Sequence, residues 1–414
     1  MPISKTIVIV SSIAMLIIGL LAGYFIGYSV TSPGQYAQLR GEIPIGVMLC
    51  DTVDGANDRP TTEIVQEEIN DYLQSIGINA TFKFLIEDPQ GSATKALEKA
   101  QTLVAEGVKV ILDWRCSSHI QAVKGYAASN HILIVSCGST SPALAIPDDY
   151  IFRFVPDDTK QAKAIVRILM DQNIKAVVVM QRGDAWGDGI YGAFNPLFTA
   201  SGGVIADYIR YDPDATEFST EVSKAASSVR GAAATYGWNH VGFLILTFQE
   251  QVVPIQQQAG QYPELLNITW FGSDGHALSE PLVKEAGELA VRVKHVCTYF
   301  AATQSEKYQQ FRAKFVAKAG MEPQSYTVNL YDSAWVVALS TLIAGKYDAD
   351  AIKKVLPQVA SSYFGASGWT LLNDAGDRAG GNYAIWIVAE ENGTIQWKNV
   401  GYYDFVSDSV KWLA

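Results

Sequence analysis

Two short stretches place hydroxyls, thiols and glycine directly after apolar runs. They are Arg115-Cys-Ser-Ser118, and Ser136-Cys-Gly-Ser-Thr140 after His131-Ile-Leu-Ile-Val135. Ser117 and Ser118 stand at the start of a helical stretch, where a serine oxygen caps exposed amides. Free amides at a helix start also hold an anion. Ser139 and Thr140, with their backbone amides, can hold the same anion from the neighbouring strand. Ser273-Asp-Gly275 ends another apolar run and offers Asp274, a carboxylate suited to a cation. Trp186 and Phe248 follow two further runs and can shield a bound solute from water. A solute with both a carboxylate and an ammonium, an α-amino acid, fits this set.

Other chemistries fail on spacing. Gly187-Asp-Gly189-Ile-Tyr-Gly192 matches the dinucleotide fingerprint, but Gln181 to Trp186 separate it from its strand, too long for the tight turn that motif needs. Gly138-Ser-Thr-Ser lacks the nucleophile elbow of a hydrolase, and no histidine is placed beside it by sequence. A Walker phosphate loop is absent, and Asp184 and Asp274 do not read as a sugar-hydrolysing pair. The four cysteines (50, 116, 137 and 297) and five histidines show no CxxC and no HxxxH, so neither a zinc nor an iron–sulfur centre is expected. No cofactor and no catalysis are expected. The formal charge of −11 and the lack of a basic run exclude a nucleic-acid footprint.

The elements that must position these residues alternate strand and helix. Residues 43–50, 79–86, 108–112 and 132–136 read as strands, with helices over 61–75, 92–106 and 118–129. A second series begins after Tyr150-Ile-Phe-Arg-Phe-Val155, with strands at 174–180, 203–211, 241–247 and 268–272 and helices between them. The last third offers helices near 303–319, 324–344 and 349–359, then strands near 369–372, 382–389 and 394–405. This rhythm predicts an α/β chain with two doubly wound parallel-sheet lobes. Residues 43–154 and about 300–375 form the first lobe, and 155–299 and about 376–414 the second. In open α/β sheets solutes bind outside the carboxyl ends of the strands, so the strand-end residues of both lobes should face one cleft.

Ahead of the lobes, Ile7 to Val30 carries no charge and is preceded only by Lys5 and the amino terminus. Its length suits a bilayer-spanning helix, with the remainder outside, better than the shorter apolar core of a cleavable signal. Residues 1–30 are therefore expected to be a membrane anchor, and 31–42 a linker. Cys50, Cys116 and Cys137 all end strands of the first series. A Cys116–Cys137 disulfide, a soft-metal site of three thiols and buried free thiols all fit that placement.

An ordered set of stretches resembles the branched-chain amino-acid (Leu/Ile/Val) binding proteins of ABC importers. It comprises Arg115-Cys-Ser-Ser-His, Ser136-Cys-Gly-Ser-Thr-Ser-Pro-Ala-Leu, Tyr150-Ile-Phe-Arg-Phe-Val-Pro-Asp-Asp, Asp184-Ala-Trp-Gly-Asp-Gly189, Phe271-Gly-Ser-Asp-Gly275, Tyr331-Asp332 and Gly368-Trp-Thr-Leu, between about residues 43 and 390. The resemblance implies the type I periplasmic-binding-protein fold with a three-crossing hinge. It also implies capture of a small-molecule ligand and delivery to a permease. By it Ser117 and Thr140 correspond to carboxylate binders, Gly138 to a carbonyl that takes the ammonium, and Asp274 to its acidic partner. Trp186 stands where the family often has a closing tyrosine, and Phe248 near another aromatic wall. Two departures concern the ligand. Cys137 replaces the usual Pro or Ala, and the acidic loop Asp51 to Arg59 borders the pocket for the ligand's side chain. A sensor module of the same fold, taking an amide, urea or nucleoside and reporting to a membrane partner, is the alternative reading.

Overall fold

Five parallel strands form the first sheet in the computed structural model, which describes residues 39–413. They are β1 (Gly41–Met48), β2 (Ala80–Glu87), β3 (Val110–Asp113), β4 (Leu133–Ser136) and β5 (Ile151–Arg153), ordered β2-β1-β3-β4-β5. β3 and β4 are buried along their whole length, because helices cover both faces of a parallel sheet. The anchor expected over residues 1–30 and most of the linker lie outside the described residues.

The second sheet has a parallel core of β6 (Ala176–Arg182), β7 (Val204–Tyr211), β8 (Val241–Leu246), β9 (Thr269–Gly272) and β10 (Val296–Phe300). Three antiparallel strands extend it beyond β10: β13 (Tyr383–Glu391), β14 (Thr394–Asp404) and β15 (Ser409–Trp412). Between β10 and β13 in sequence, β11 (Phe364–Gly365) and β12 (Gly368–Trp369) make a small hairpin. The helix Glu280–Arg292, with Leu282, Ala286 and Ala290 buried on one face, and the strand β10 occupy a stretch for which no element was expected.

One helix boundary differs in a way that matters. The helix expected over 61–75 begins well ahead of that, on the far side of Pro60. It starts at Thr52 and runs to Ser75, with Asp51 as its cap accepting from the Asp54 amide at 2.9 Å. Pro60 sits inside it, removing one backbone donor. The acidic loop is therefore a helix face, and Asp54 and Asp58, one turn apart, point the same way.

Among the described residues, only Ser325–Ala344 is long and apolar enough to cross a membrane. It is a core helix of the first lobe, with Leu330, Ala334, Val337 and Leu342 packed among the residues of β1, β3 and β4.

The chain passes between the sheets three times among the described residues: after β5, after β10 and before β13. The first and third passages touch. Arg153 of β5 bonds bidentately to Asp377 at 2.5 and 2.6 Å, and both side chains are fully buried. Backbone bonds flank the pair, from Arg153 N to Gly376 O at 2.9 Å and from Arg378 N to Arg153 O at 2.8 Å. The remaining guanidinium nitrogen donates to the carbonyls of Ser139 at 3.2 Å and Ser141 at 2.8 Å. One cation thus ties a crossing segment to the loop after β4. Replacing Asp377 with Ala leaves that cation buried without its partner and should cost about 3–5 kcal/mol of unfolding free energy. Urea denaturation measures this, and a loss below about 1 kcal/mol would remove the pair's organising role.

Candidate functional site

Where β1, β3 and β4 end, the backbone turns sharply. Asp113 and Trp114 both adopt left-handed conformations (φ 80° and 50°), and the Trp114 amide reaches across to the Met48 carbonyl at 3.1 Å. That reversal carries the chain after β3 over the end of β1. It brings Cys116 to Cys50, and these two form the disulfide, with Cα atoms 5.4 Å apart. Of the alternatives open for the strand-end cysteines, the Cys116–Cys137 pairing is excluded, since Cys116 pairs with Cys50. The Cys137 thiol points into the core and donates to the Asp113 carboxylate at 2.9 Å, and Cys137 and Cys297 are buried free thiols.

The same turn buries Arg115 among carboxylates. Its guanidinium bonds to Asp58, lies 3.4 Å from Asp54 and 3.8 Å from Asp113, and donates to Thr327 Oγ1 at 3.0 Å. One buried cation cannot neutralise three buried acids. Burial pushes Asp54 up to about 7 despite Arg115, with Asp51 and Asp58 adding repulsion. Asp113 rises to about 6, again through burial against the pull of Arg115. Asp58 is raised well above the usual carboxylate range by burial. This corner therefore holds protons near neutral pH unless a further cation arrives.

Across from it stands an aromatic and acidic wall from the second lobe. Asp184 caps the helix Ala185–Ala200, accepting from the amides of Trp186 at 3.1 Å and Gly187 at 3.0 Å. Trp186 packs on Phe248 with ring centroids 4.6 Å apart, and Arg182 stacks over Phe248 at 4.3 Å. Asp274, in the turn after β9, is 9% exposed. Its Oδ2 accepts from the Tyr326 hydroxyl at 2.6 Å, while Oδ1 has no hydrogen-bond partner. Burial raises its carboxyl, opposed by the Tyr326 bond and by the nearby side chains of Gln161 and Ser273.

A cleft of about 770 Å³ separates the two walls. Of the residues expected at the site, Gly138, Trp186, Phe248 and Asp274 line it. Ser117, Ser139 and Thr140 lie just beneath its floor and are buried. The Ser117 hydroxyl is 2.9 Å from that of Ser139 and accepts from the Ser141 amide at 3.3 Å, and Ser118 faces the cleft in its place. Thr140 Oγ1 and the Asp158 carboxyl have no partners beyond each other, and burial together with the nearby Asp274 charge pushes Asp158 upward, opposed by the Thr140 hydroxyl. Gly138 is required where it sits, since a Cβ there would lie 2.9 Å from the Tyr326 ring and 3.1 Å from Arg115.

Asp54, within the acidic stretch expected at the pocket, lines the cleft, and so do Arg115, Tyr299 and Tyr326, which were not among the expected site residues. Tyr326 opens a helix that follows the second lobe in sequence yet packs on the first, and nothing local marks it.

The cysteine arrangement has a direct check. Denatured, unreduced protein should expose two reactive thiols, Cys137 and Cys297, and reduction should raise the count to four. Four before reduction would exclude the Cys50–Cys116 bond.

Comparisons with known proteins agree with this architecture. The sequence profile of the periplasmic binding protein family matches residues 43–385. An uncharacterised protein of Methanocaldococcus jannaschii is 32% identical over 376 residues, spanning 86% of this chain and 88% of its own. The leucine binding protein LivK of Thermotoga maritima superposes with a TM-score of 0.72 at 22% identity, covering 86% of this chain and 97% of its own. A solute binding protein of an R. palustris ABC transporter, solved with 4-hydroxybenzoate, gives 0.72 at 15% identity, covering 88% and 97%. Two α/β sheets facing one cleft, the matched profile and the Methanocaldococcus jannaschii relative make the conclusion plain: this chain belongs to the periplasmic binding protein family.

Proposed function

We propose that this domain works outside the cytoplasm, captures a small zwitterionic solute in the interlobe cleft and delivers it to the permease of an ABC importer. The solute is read as an amino acid, and the chain releases it chemically unchanged. The observation that carries this reading is the free Oδ1 of Asp274, a buried carboxylate oxygen with no partner in a cleft wall. A buried acceptor of this kind is costly until something donates to it, and an ammonium does so best. On the opposite side, the helix starting at Ser117 has no side-chain cap, so its first amides remain available to a carboxylate. Leucine and 4-hydroxybenzoate, named for the two similar structures, both bear a carboxylate. The disulfide suits an oxidising compartment, and the uncharged stretch from Ile7 to Val30 suits a membrane tether.

Ligand selectivity follows from the charges around the remainder of the cleft. Asp51, Asp54, Asp214, Glu250 and Glu285 line it with Asp274, against the cations Arg115 and Arg182. Such a lining disfavours a purely aliphatic side chain and suits one that carries donors or positive charge. Closure of the lobes would exclude water and strengthen each of these pairings.

Calorimetry of the protein against a panel of amino acids tests the reading. An amine-bearing or polar amino acid should bind more tightly than leucine, and Asp274→Ala should cost that ligand about 3–5 kcal/mol, because its ammonium is left buried and unpaired. Binding of an amide, urea or nucleoside with no amino acid bound would overturn the ammonium role.

A pH dependence follows from Asp54. With its carboxyl raised from the ordinary 3.8 to about 7, the folded ligand-free chain holds a proton that the unfolded chain has lost in that window. Ligand-free stability should therefore fall as pH climbs between those values. A cationic ligand favours the ionised carboxyl, so its affinity should rise over the same window with release of a proton. Titrations in buffers of different ionisation enthalpy read this release directly, and uptake in place of release would contradict it.

A further inference from the structure

Behind the Asp274 turn lies a cluster that the cleft does not use. His276 follows β9 within the same turn, His295 immediately precedes β10, and Cys297 lies on β10. All three are fully buried. Their donor atoms converge: His276 Nε2 is 2.9 Å from His295 Nε2 and 3.3 Å from Cys297 Sγ. We propose that His276, His295 and Cys297 form a binding site for a borderline-soft divalent metal ion, zinc(II) by the chemistry of its donors.

The outer hydrogen bonds of the two rings support this. His276 Nδ1 lies 3.2 Å from the Thr247 carbonyl, which only accepts, so that nitrogen carries the hydrogen and Nε2 is bare. His295 Nδ1 lies 3.1 Å from Gln256 Oε1, and with the Gln256 amide in this orientation its Nε2 is bare as well. Two nitrogen lone pairs then face each other at hydrogen-bond distance with nothing between them. A proton would relieve them only by making a fully buried imidazolium, and neither ring hydrogen-bonds to a carboxylate. A metal ion relieves them without that cost. Histidine ligands commonly donate their second nitrogen to a carbonyl or carboxylate, which fixes the ring and the tautomer, as Thr247 and Gln256 do here.

Space and dimensions are consistent with an ion. The strand residue facing the cluster is Gly272, and a Cβ there would lie 2.4 Å from His276 Nε2 and 2.8 Å from Cys297 Sγ. Zinc bonds of about 2.0–2.1 Å to nitrogen and about 2.3 Å to sulfur place tetrahedral donors roughly 3.3–3.6 Å apart. The cluster needs to open by only a few tenths of an ångström to reach that. Two imidazoles and a thiolate select zinc over calcium or magnesium. On binding, the thiol loses its proton to solvent and the sulfur donates to the metal. The ion would bridge the Asp274 turn to β10, pinning the segment that presents the cleft carboxylate. The site stands on its own geometry and does not depend on the identity of the cleft solute.

Spacing concealed it, since His276 and His295 are separated by a whole helix and no motif joins them. Cys50, Cys116 and His119 also cluster, but the disulfide occupies both sulfurs there.

The test uses the full chain with its disulfide intact, unfolded and refolded with cobalt(II) or zinc(II), then freed of excess metal. One ion per chain should remain, and the cobalt form should show a thiolate-to-cobalt charge-transfer band. Cys297→Ser should abolish that band, His295→Gln should weaken retention at least about tenfold, and Cys137→Ser should leave both unchanged. If the variants do not fold, X-ray absorption on the wild-type cobalt form must show one sulfur and two imidazoles in the coordination shell. The proposal is overturned if the refolded wild type retains no metal. In that case Gln256 is turned so that its amide nitrogen donates to His295, and the two rings share an ordinary hydrogen bond. It is equally overturned if metal is held by a shell lacking sulfur.

Discussion

The Arg153–Asp377 pair is the constraint on which the binding face rests. Both partners are fully buried, so each depends on the other to offset its lost hydration. The pair fixes the relative position of a strand end and a crossing segment, and the remaining guanidinium nitrogen fixes the loop Ser139–Ser141. That loop continues the ordering outward. The Ser141 hydroxyl donates to the Ala185 carbonyl at 2.7 Å, joining the first lobe to the helix that carries Trp186. A Cβ on Gly189 would lie 2.6 Å from the same hydroxyl, so the helix approaches this closely only because that position is glycine. From one ion pair the structure thus derives the floor of the cleft and the placement of its aromatic wall.

Around that rigid floor, the cleft itself is electrostatically unfinished. Arg115 answers to Asp54, Asp58 and Asp113 together, and Asp274 and Asp158 keep unpartnered oxygens under burial. A stability optimum would not leave such groups exposed to each other in a low dielectric. Buried acids with raised proton affinity are characteristic of sites that await a partner. Tyr326 partly offsets the cost by donating to Asp274 from the first lobe, with Tyr299 packed against it at 5.0 Å between ring centroids.

Much of this was legible in the sequence, for identifiable reasons. The strands of both parallel cores were readable because a strand buried on both faces must be a continuous apolar run, as in Leu133-Ile-Val-Ser136 and Val241-Gly-Phe-Leu-Ile-Leu246. Strand ends then located Gly138, Trp186, Phe248 and Asp274, since in such sheets the carboxyl ends face the cleft. Local rules failed where tertiary contacts decide. Local rules disfavour Pro60 in a helix interior, yet the helix runs through it from the Asp51 cap, so the acidic stretch 51–59 read as a loop and not as a helix face. The disulfide partner of Cys116 depends on two successive left-handed residues, neither of them glycine, and no sequence signal announces that. Ser117 and Thr140 were placed at the correct strand ends, yet the hydroxyl of the first is taken by Ser139 and Ser141, a competition only packing reveals.

Opening and closing of the proposed receptor must be governed by the same unfinished groups. The bonds Tyr326–Asp274 and Ser141–Ala185 both span the lobes, and they favour closure whether or not a solute is present. Bonds to a charged acceptor contribute about 1.5–3 kcal/mol, and neutral ones about 1 kcal/mol. If nothing opposed them, the empty cleft would stay shut and exclude its ligand. The opposing term is the burial of Asp54, Asp58, Asp158 and Asp274 without sufficient counter-charge. A ligand converts an open population to a closed one only through its differential affinity for the two, about 5.5 kcal/mol for a full reversal of a hundredfold preference. An ammonium that meets Asp274 only when the lobes come together supplies this kind of difference. On the proposed reading, the penalty that opposes closure of the empty cleft is the one an ammonium-bearing solute would remove, so affinity and conformational response would originate in one set of carboxylates.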